Sequence, residues 1–303
     1  MDEKMNFVYD GEGDRLDVFL AGEMDGYSRN IIKEMIKGGC VTINGKKEDK
    51  PSFPLENGFA VEVVLPSNKK DASSLTDLIV FEDRHILVFD KPSGLIVHPQ
   101  SPAWETNPEA AFTGDPSMVS MLLTAFPKMR ELERAGLVHR LDRETSGVMI
   151  VAKTAEAQAN LAAQFQGRQV SKLYNSVLCG EVPDDEGEID VPIGRIAGGR
   201  IKASPIGRPS LTLYHVKKRA NGYSWVDMEP KTGRTNQLRV HMAWLGYPVL
   251  GDSVYGGKPA ARLMLHARRL EVHHPKTGKP VVFEVKPSAD FNAEWKRVSK
   301  AAK

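Results

Sequence analysis

The chain has 303 residues, 41% hydrophobic and 26% charged, enough for one large domain plus a small one or for two of medium size. No apolar run reaches membrane-spanning length, and the acidic start Met1-Asp2-Glu3-Lys4 lacks the hydrophobic segment of a signal peptide. Cys40 and Cys179 are the only cysteines and form no C-x-x-C pattern, so a reduced cytoplasmic setting fits, without a disulfide framework or a cysteine-held zinc. The formal net charge of +2 hides a gradient: residues 1–66 carry eight Lys and Arg against thirteen Asp and Glu, and the remainder is net positive.

Within that acidic first part, Leu16, Phe19 and Leu20 recur at helical spacing after Asp14, which is predicted to cap the helix. Ser28 is predicted to cap a second helix with Ile31, Ile32, Met35 and Ile36 on one face and Gly38-Gly39 as its stop. Val41-Thr42-Ile43 runs into the hairpin turn Asn44-Gly45, and Phe59, Val61 and Val63 alternate in a closing strand. Arg29, Lys33, Lys37, Lys46, Lys47 and Lys50 face only Glu34, Glu48 and Asp49. This local basic strip suits a phosphate backbone, and it equally suits an ordinary solvated face. Through Arg15-Leu16-Asp17, Ser28-Arg29 and Val41-Thr42-Ile43-Asn44-Gly45-Lys46, the segment resembles the small helix–helix–hairpin RNA-binding (alpha-L) module named after a small-subunit ribosomal protein. The resemblance implies RNA contact through Arg29, Lys33, Lys37, Lys46 and Lys47, on the second helix and hairpin because the first helix is acidic. Residues 1–66 are assigned to this module, and polar, aperiodic 67–74 to a linker.

Residues 75–290 are read as a second, larger domain. Strands at 78–81 and 86–89 flank the turn Glu82-Asp83-Arg84-His85, and Asp90-Lys91-Pro92-Ser93-Gly94 is a tight loop. Residues 99–117, rich in Pro, Gly and small polar side chains, are expected to form a long surface loop, and 119–126 a short helix. Thr154 caps a predicted helix over 155–166, with Leu161 and Phe165 as its core stripe and Gly167 as its stop. The strand 172–178 places Tyr174, Ser176 and Leu178 on one face. Residues 183–210 are loop-rich and carry Arg195, Arg200, Lys202 and Arg208. Strands at 211–217 and 223–228 surround Asn221-Gly222, a polar turn enters a helix that Gly246 stops, and a last pair of strands runs through Val285. Residues 291–303 are expected to be a basic tail. Strands scattered among a few short helices, mostly hairpin-connected, indicate an α+β domain around a mostly antiparallel mixed sheet with flanking helices.

The densest chemistry lies in His139-Arg140-Leu141-Asp142-Arg143-Glu144-Thr145-Ser146-Gly147, between the apolar runs Leu137-Val138 and Val148-Met149-Ile150-Val151-Ala152. A carboxylate between arginines where buried strands meet is expected to be ionised, because neighbouring cations favour its charged form. The residues alone also allow a solvated loop whose charges face water. There is no G-x-x-x-x-G-K-[ST], no G-x-G-x-x-G leading into a helix, no H-E-x-x-H and no G-x-S-x-G. The adjacent His273-His274 has no nearby third ligand and reads as surface or structural. What remains is one carboxylate with arginines and no metal or cofactor signature, able to act as a nucleophile or a proton acceptor.

That nine-residue run resembles the signature of pseudouridine synthases of the RluA type. Lys91-Pro92-Ser93-Gly94-Leu95-Ile96-Val97-His98-Pro99, Lys172-Leu173-Tyr174, the block from Thr232-Gly233-Arg234 to His241, and Leu265-His266-Ala267 agree in order and spacing. Asn236 stands where the family usually shows histidine, and Ser176 where alanine is usual. The resemblance implies an isomerase that cuts the bond between the ribose anomeric carbon and the uracil nitrogen, turns the base and rejoins it through a ring carbon, without metal or cofactor. Asp142 is then the catalytic residue, and whether it adds to the sugar, adds to the base or removes a sugar proton stays open. Arg239 is its implied partner, holding the carboxyl at or below the usual value of about 3.9. Tyr174 stacks on the target base, Arg140 fills the gap left by a flipped uridine, and Arg234 also meets substrate. His139, Thr145 and Ser146 shape the turn. The implied partner is RNA, large-subunit ribosomal RNA first and transfer RNA as the alternative, for a monomeric cytoplasmic enzyme. A non-catalytic ribosome-assembly factor and a small-molecule nucleoside glycosidase are the competing readings.

Overall fold

The computed structural model describes residues 3–24, 27, 29–65, 75–99, 102–112, 115–196 and 199–300. They form two compact units, one of Met1–Asp77 and Ile96–Gly136, the other of Leu78–Leu95 and Leu137–Lys303. The expected linker at 67–74 and the cap at Ser28 lie outside the described residues.

In the first unit, β1 (Glu3–Val8), β2 (Val41–Ile43), β3 (Lys46–Lys47) and β4 (Ala60–Leu65) make an antiparallel sheet of order β1-β4-β2-β3. Strand β1, unread in the sequence, pairs with β4 from Glu3 opposite Leu65 to Val8 opposite Ala60. Helices α1 (Leu16–Glu23) and α2 (Arg29–Lys37) bury Leu16, Leu20, Ile32, Met35 and Ile36 together with Val41, Val61 and Val63. At the hairpin, Asn44 and Gly45 have φ of 50° and 78°, the left-handed pair that a two-residue turn demands. The residue preceding α1 is Arg15, not Asp14, and no side chain caps it. Asp14 is instead held from behind, its backbone N–H donating to the Tyr9 hydroxyl.

The expected surface loop at 99–117 contains two 3-10 turns, Pro102–Glu105 and Pro108–Phe112, which bury Trp104, Ala110 and Ala111. The His98 ring stacks on Trp104 with centroids 5.6 Å apart, and a reciprocal Ser117/Ser120 capping box starts α3 (Met118–Ala125). An apolar anchor thus organises a segment whose composition reads as loop.

The second unit is built on a nine-stranded sheet of order β5-β6-β7-β14-β8-β13-β12-β9, with β15 pairing β14. Its strands are β5 (Ile79–Glu82), β6 (Ile86–Lys91), β7 (Ser146–Ala152), β8 (Ser171–Cys179), β9 (Glu186–Asp190), β12 (Leu211–Ala220), β13 (Tyr223–Pro230), β14 (Leu265–His273) and β15 (Pro280–Glu284). Every pairing is antiparallel except β7 with β14. The short β10 (Ile193–Arg195) and β11 (Ile201–Ala203) form a separate two-stranded ribbon. The helices are α4 (Ala155–Gln166), capped by Thr154 as its sequence predicts, α5 (Gln237–Trp244) and α6 (Ala289–Ser299). Helix α6 replaces the expected tail: Phe291 and Val298 are buried in the main core with Val226, Met228 and Leu265, at a spacing that puts both on one side of the helix. No helix among the described residues is long and apolar enough to cross a membrane.

Candidate active site

The site grows from the crossing of β7 and β14. Strand β7 is buried throughout, and its parallel pairing sets His266 opposite Ser146 and Ala267 opposite Gly147. Gly147 has φ +114°, and a Cβ there would lie 2.1 Å from the Ala267 carbonyl oxygen, so only glycine lets the strands meet. One residue earlier, the Ser146 hydroxyl lies 2.9 Å from His266 Nδ1 and accepts from the Arg262 guanidinium. The chain leading into β7 is a tight turn, closed by the Thr145 N–H donating to the Asp142 carbonyl at 3.1 Å.

Three further contacts hold this turn. Lys91 is wholly buried at the end of β6, and its ammonium donates to the carbonyls of Pro92 (2.9 Å), Leu95 (2.8 Å) and Arg143 (3.0 Å). Burial pulls Lys91 down to about 8. Gly94 and Arg143 exchange two more bonds, N–H to carbonyl at 2.9 Å and Nε to carbonyl at 3.1 Å. His139 accepts from the Ile150 N–H through Nε2 and stacks on Phe165 at 4.6 Å, with burial and the Lys172 charge taking it down to about 3. His139 is therefore a neutral structural ring.

Above the turn opens a cavity of about 740 Å³, lined by Asp142, Tyr174, Arg140, Arg234, Arg239 and Lys172 among others. Every residue that the family resemblance placed at the substrate faces this one space. Arg140 is exposed, whereas Arg234 is half-buried and donates through Nε to the Pro209 carbonyl at 3.3 Å. Tyr174, on β8 opposite Met228 and Ala267, has its phenol pushed far up by burial and the Asp142 charge, so it keeps its proton.

The expected Asp142–Arg239 bond is absent. Among the described residues no ion pair or hydrogen bond reaches the half-buried Asp142 carboxylate. Burial raises its pKa, against the opposing charges of Arg239, Arg140 and Lys91, whereas the pairing expected from the sequence would have lowered it. Arg239 is turned away because Asp252 takes it in a bidentate bond, Nε to Oδ2 at 2.7 Å and Nη2 to Oδ1 at 2.8 Å. Asp252 is buried and also accepts the N–H groups of Val254 and Tyr255, both at 3.0 Å. The remaining guanidinium nitrogen of Arg239 donates to Asn236 Oδ1 at 3.2 Å, and the group lies over the Tyr255 ring at 5.1 Å.

Asn236 occupies its unusual position with φ 55°, a left-handed value that Asn tolerates, and its amide donates to the Tyr255 hydroxyl at 3.0 Å. Next to it, Gln237 is buried and bonds Thr232, Thr212 and the Leu211 carbonyl, fixing the start of α5. Lys91 and Lys172 open two of the blocks that carry the resemblance, but neither they nor Asp252 had a role legible in the sequence. For Asp252 the available signal was an Asp whose side chain can accept the N–H groups two and three residues on.

In the first unit part of the basic strip has an internal partner. Asp17 is wholly buried and accepts from Arg15 Nε and Arg29 Nε, each at 2.9 Å, with Lys33 Nζ at 3.7 Å. Arg29 and Lys33 thus serve an internal carboxylate. Lys37, Lys46 and Lys47 are exposed. At the other expected surface pair, His274 holds a turn, with Nε2 on Asp83 at 2.7 Å and Nδ1 accepting from Lys276 and Thr277.

Comparison with known proteins agrees with this geometry. Residues 85–244 match the RNA pseudouridylate synthase family and 14–58 match the S4 domain. The chain is 37% identical to ribosomal large subunit pseudouridine synthase D of Pseudomonas aeruginosa, over 92% of this chain and 90% of that one. It is equally similar, at 37%, to an RNA pseudouridine synthase of Aquifex aeolicus, over 97% and 96%. The structure of human RNA pseudouridylate synthase domain containing 4 superposes with a TM-score of 0.59 at 26% identity, covering 75% of this chain and 95% of that one. With a synthase sheet that carries the pocket and an S4 domain ahead of it, the chain belongs to the RNA pseudouridylate synthase family, is of the RluA type, and is an isomerase.

Proposed function

We propose that the protein isomerises uridines in large-subunit ribosomal RNA and that Asp142 is the carboxylate that reacts. The observation that carries this reading is the Asp142 carboxylate itself, bonded to no other group among the described residues and facing a cavity that also holds a protonated Tyr174. In each of the three roles open to it, toward the sugar, the base or a sugar proton, Asp142 acts as an anion. Arg239, Arg140 and Lys91 supply positive potential without consuming its lone pairs. The cavity is concave, so the uridine enters it out of the stack, from an unpaired segment where extrusion costs least. Tyr174 then stacks on the base and Arg140, exposed two residues from Asp142, occupies the vacated place in the RNA. The ribosomal substrate is supported by the S4 domain and by the names of the relatives, and the cytoplasm is where such RNA is met. The intact set of Asp142, Tyr174 and Arg239 argues against a non-catalytic assembly factor.

The test is pseudouridine formation by the purified chain on large-subunit ribosomal RNA, with transfer RNA in parallel. Wild type is expected to convert ribosomal uridines, and Asp142→Asn to lose more than about 10³-fold in rate while still binding RNA. Product at the wild-type level from Asp142→Ala overturns the role of Asp142, and product confined to transfer RNA overturns the substrate.

A further inference from the structure

From Val191 to Val226 the sequence contains seven Lys and Arg and no Asp or Glu. Lys217, Lys218 and Arg219 lie on β12, where Lys217 pairs with Asp227 at 3.7 Å and Arg219 with Asp185 at 2.7 Å. Arg195, Arg200, Lys202 and Arg208 belong to the β10–β11 ribbon and the segment returning from it. All four are exposed, and among the described residues no carboxylate pairs with any of them. The acidic side chains of edge strand β9 end at Asp190, where the ribbon begins.

The ribbon is ordered by its own bonds. Gly194 faces Lys202 and Arg195 faces Ile201 across it, and Ile193 exchanges both backbone bonds with Arg208, at 3.0 and 2.8 Å. Gly207 lies so close that a Cβ would stand 2.5 Å from the Ile193 carbonyl carbon, which presses the returning segment onto β10. The root is fixed at the pocket: His241 of α5 meets the Val191 carbonyl at 2.9 Å through Nε2, and Arg234 of the cavity wall donates to the Pro209 carbonyl.

Resting on the functional reading above, we propose that this ribbon grips the phosphate backbone of a helical RNA segment adjoining the uridine that enters the pocket. Uncompensated cations on a ribbon whose returning segment is bonded to Arg234 of the cavity wall are what a polyanion approaching the site meets. Residues 191–210 contain no aromatic side chain and no histidine, so the ribbon has nothing on which unpaired bases stack; it follows phosphates. This contrasts with α2, where Arg29 and Lys33 are already bound to Asp17.

The test measures binding of the whole chain to a 12-base-pair RNA duplex and to a single strand of equal length, as probes of about that size, across a salt series. The variant carries Arg200→Gln, Lys202→Gln and Arg208→Gln together, and a control carries Lys279→Gln, Lys286→Gln and Lys296→Gln, three exposed cations elsewhere in the second unit. The ribbon variant is expected to bind duplex at least about tenfold more weakly, with the slope of log K against log salt smaller by about 2 to 3, and the control to keep the wild-type slope. Arg208→Gln alone, expected to lower the slope by about 1, covers the case in which the triple variant fails to melt like wild type. Unchanged duplex affinity and slope overturn the proposal, as does an equal loss in the control or a loss seen only on single strands. Because the duplex offers no unpaired uridine, these outcomes stand apart from the isomerisation assay, whose failure overturns the functional reading instead.

Discussion

Two aspartates of this chain, Asp17 in the S4 domain and Asp142 in the cavity, each have three cations for neighbours, and the fold treats them in opposite ways. Asp17 is bonded by Arg15 and Arg29 and approached by Lys33. Burial alone would push its carboxyl up, but the bonds and charges of Arg29 and Arg15 outweigh that, and it sits below the usual carboxylate value. Asp142 feels Arg239, Arg140 and Lys91 only through space, and burial keeps it above that value. The difference comes from a third aspartate. Asp252 occupies Arg239 with two short bonds and leaves the neighbouring carboxylate without that partner. A carboxylate that stabilises a fold is saturated with donors, whereas one kept for reaction has its charge supported while its lone pairs stay open.

Asp252→Asn attacks that contrast most directly. The variant removes the charge that holds Arg239, and the guanidinium is then free to turn to Asp142. An arginine pair lowers a carboxylate pKa by about 1–3 units, so the acid limb of the pH–rate profile is expected to move down and the rate to fall by on the order of 100-fold. Melting temperature and RNA affinity serve as controls. An unmoved acid limb would show that Asp252 supports the loop at 252–255 and nothing more.

How far the sequence spoke for these two aspartates follows from the range of the forces involved. The turns Asn44-Gly45 and Asn221-Gly222 and the Thr154 cap are local solutions to local backbone demands, and each stands where its residues predict it. Pocket membership of Tyr174, Arg140, Arg234 and Arg239 came only through resemblance, because they meet from β8, the turn before β7 and α5. The Arg239–Asp252 bond depends on the path of the chain after α5, which no periodicity encodes. Lys91 is similar: a lysine reads as exposed until three carbonyls are folded around it. Charge spacing on α2 was incomplete for the opposite reason, since helical geometry aligns Arg29 and Lys33 but cannot show that both converge on an aspartate from α1. Composition missed helix α6 and the 3-10 turns around Trp104, where one aromatic anchor decides whether a polar segment packs.

The saturated member of the pair is tested by Asp17→Asn. Removing the anion leaves Arg15 and Arg29 facing a buried neutral group, and because both guanidiniums are about half exposed, the cost is put at about 2 kcal/mol rather than the 3–5 of a fully buried pair. Melting is expected to fall by roughly 5 °C while turnover on saturating RNA is unchanged. The pH dependence has a definite sign. The folded pKa of Asp17 is depressed, so its stabilisation is complete above 3.8 and is lost as pH falls through the lower folded value. With Asp142 as the proposed reacting anion, isomerase activity is expected to disappear at higher pH than that. Activity followed beside circular dichroism during acidification checks the order, and simultaneous loss of both signals would dissolve the distinction between the two aspartates.

The smallest effect is the stability that Asp142 forfeits. Its folded pKa is raised, so any stabilisation it contributes is present below 3.8, where it is protonated, and is lost as pH rises through the folded value. At neutral pH the wild-type chain therefore carries a partly buried anion with no bonded partner among the described residues, and Asp142→Asn removes that charge with almost no change of shape. The variant is expected to be more stable than wild type by about 1 kcal/mol, seen as a melting temperature some 2–4 °C higher at neutral pH, with the gap closing in acid. A variant that melts below wild type at neutral pH would mean that Arg239 and Arg140 already compensate the carboxylate, and the contrast with Asp17 would then be one of geometry alone.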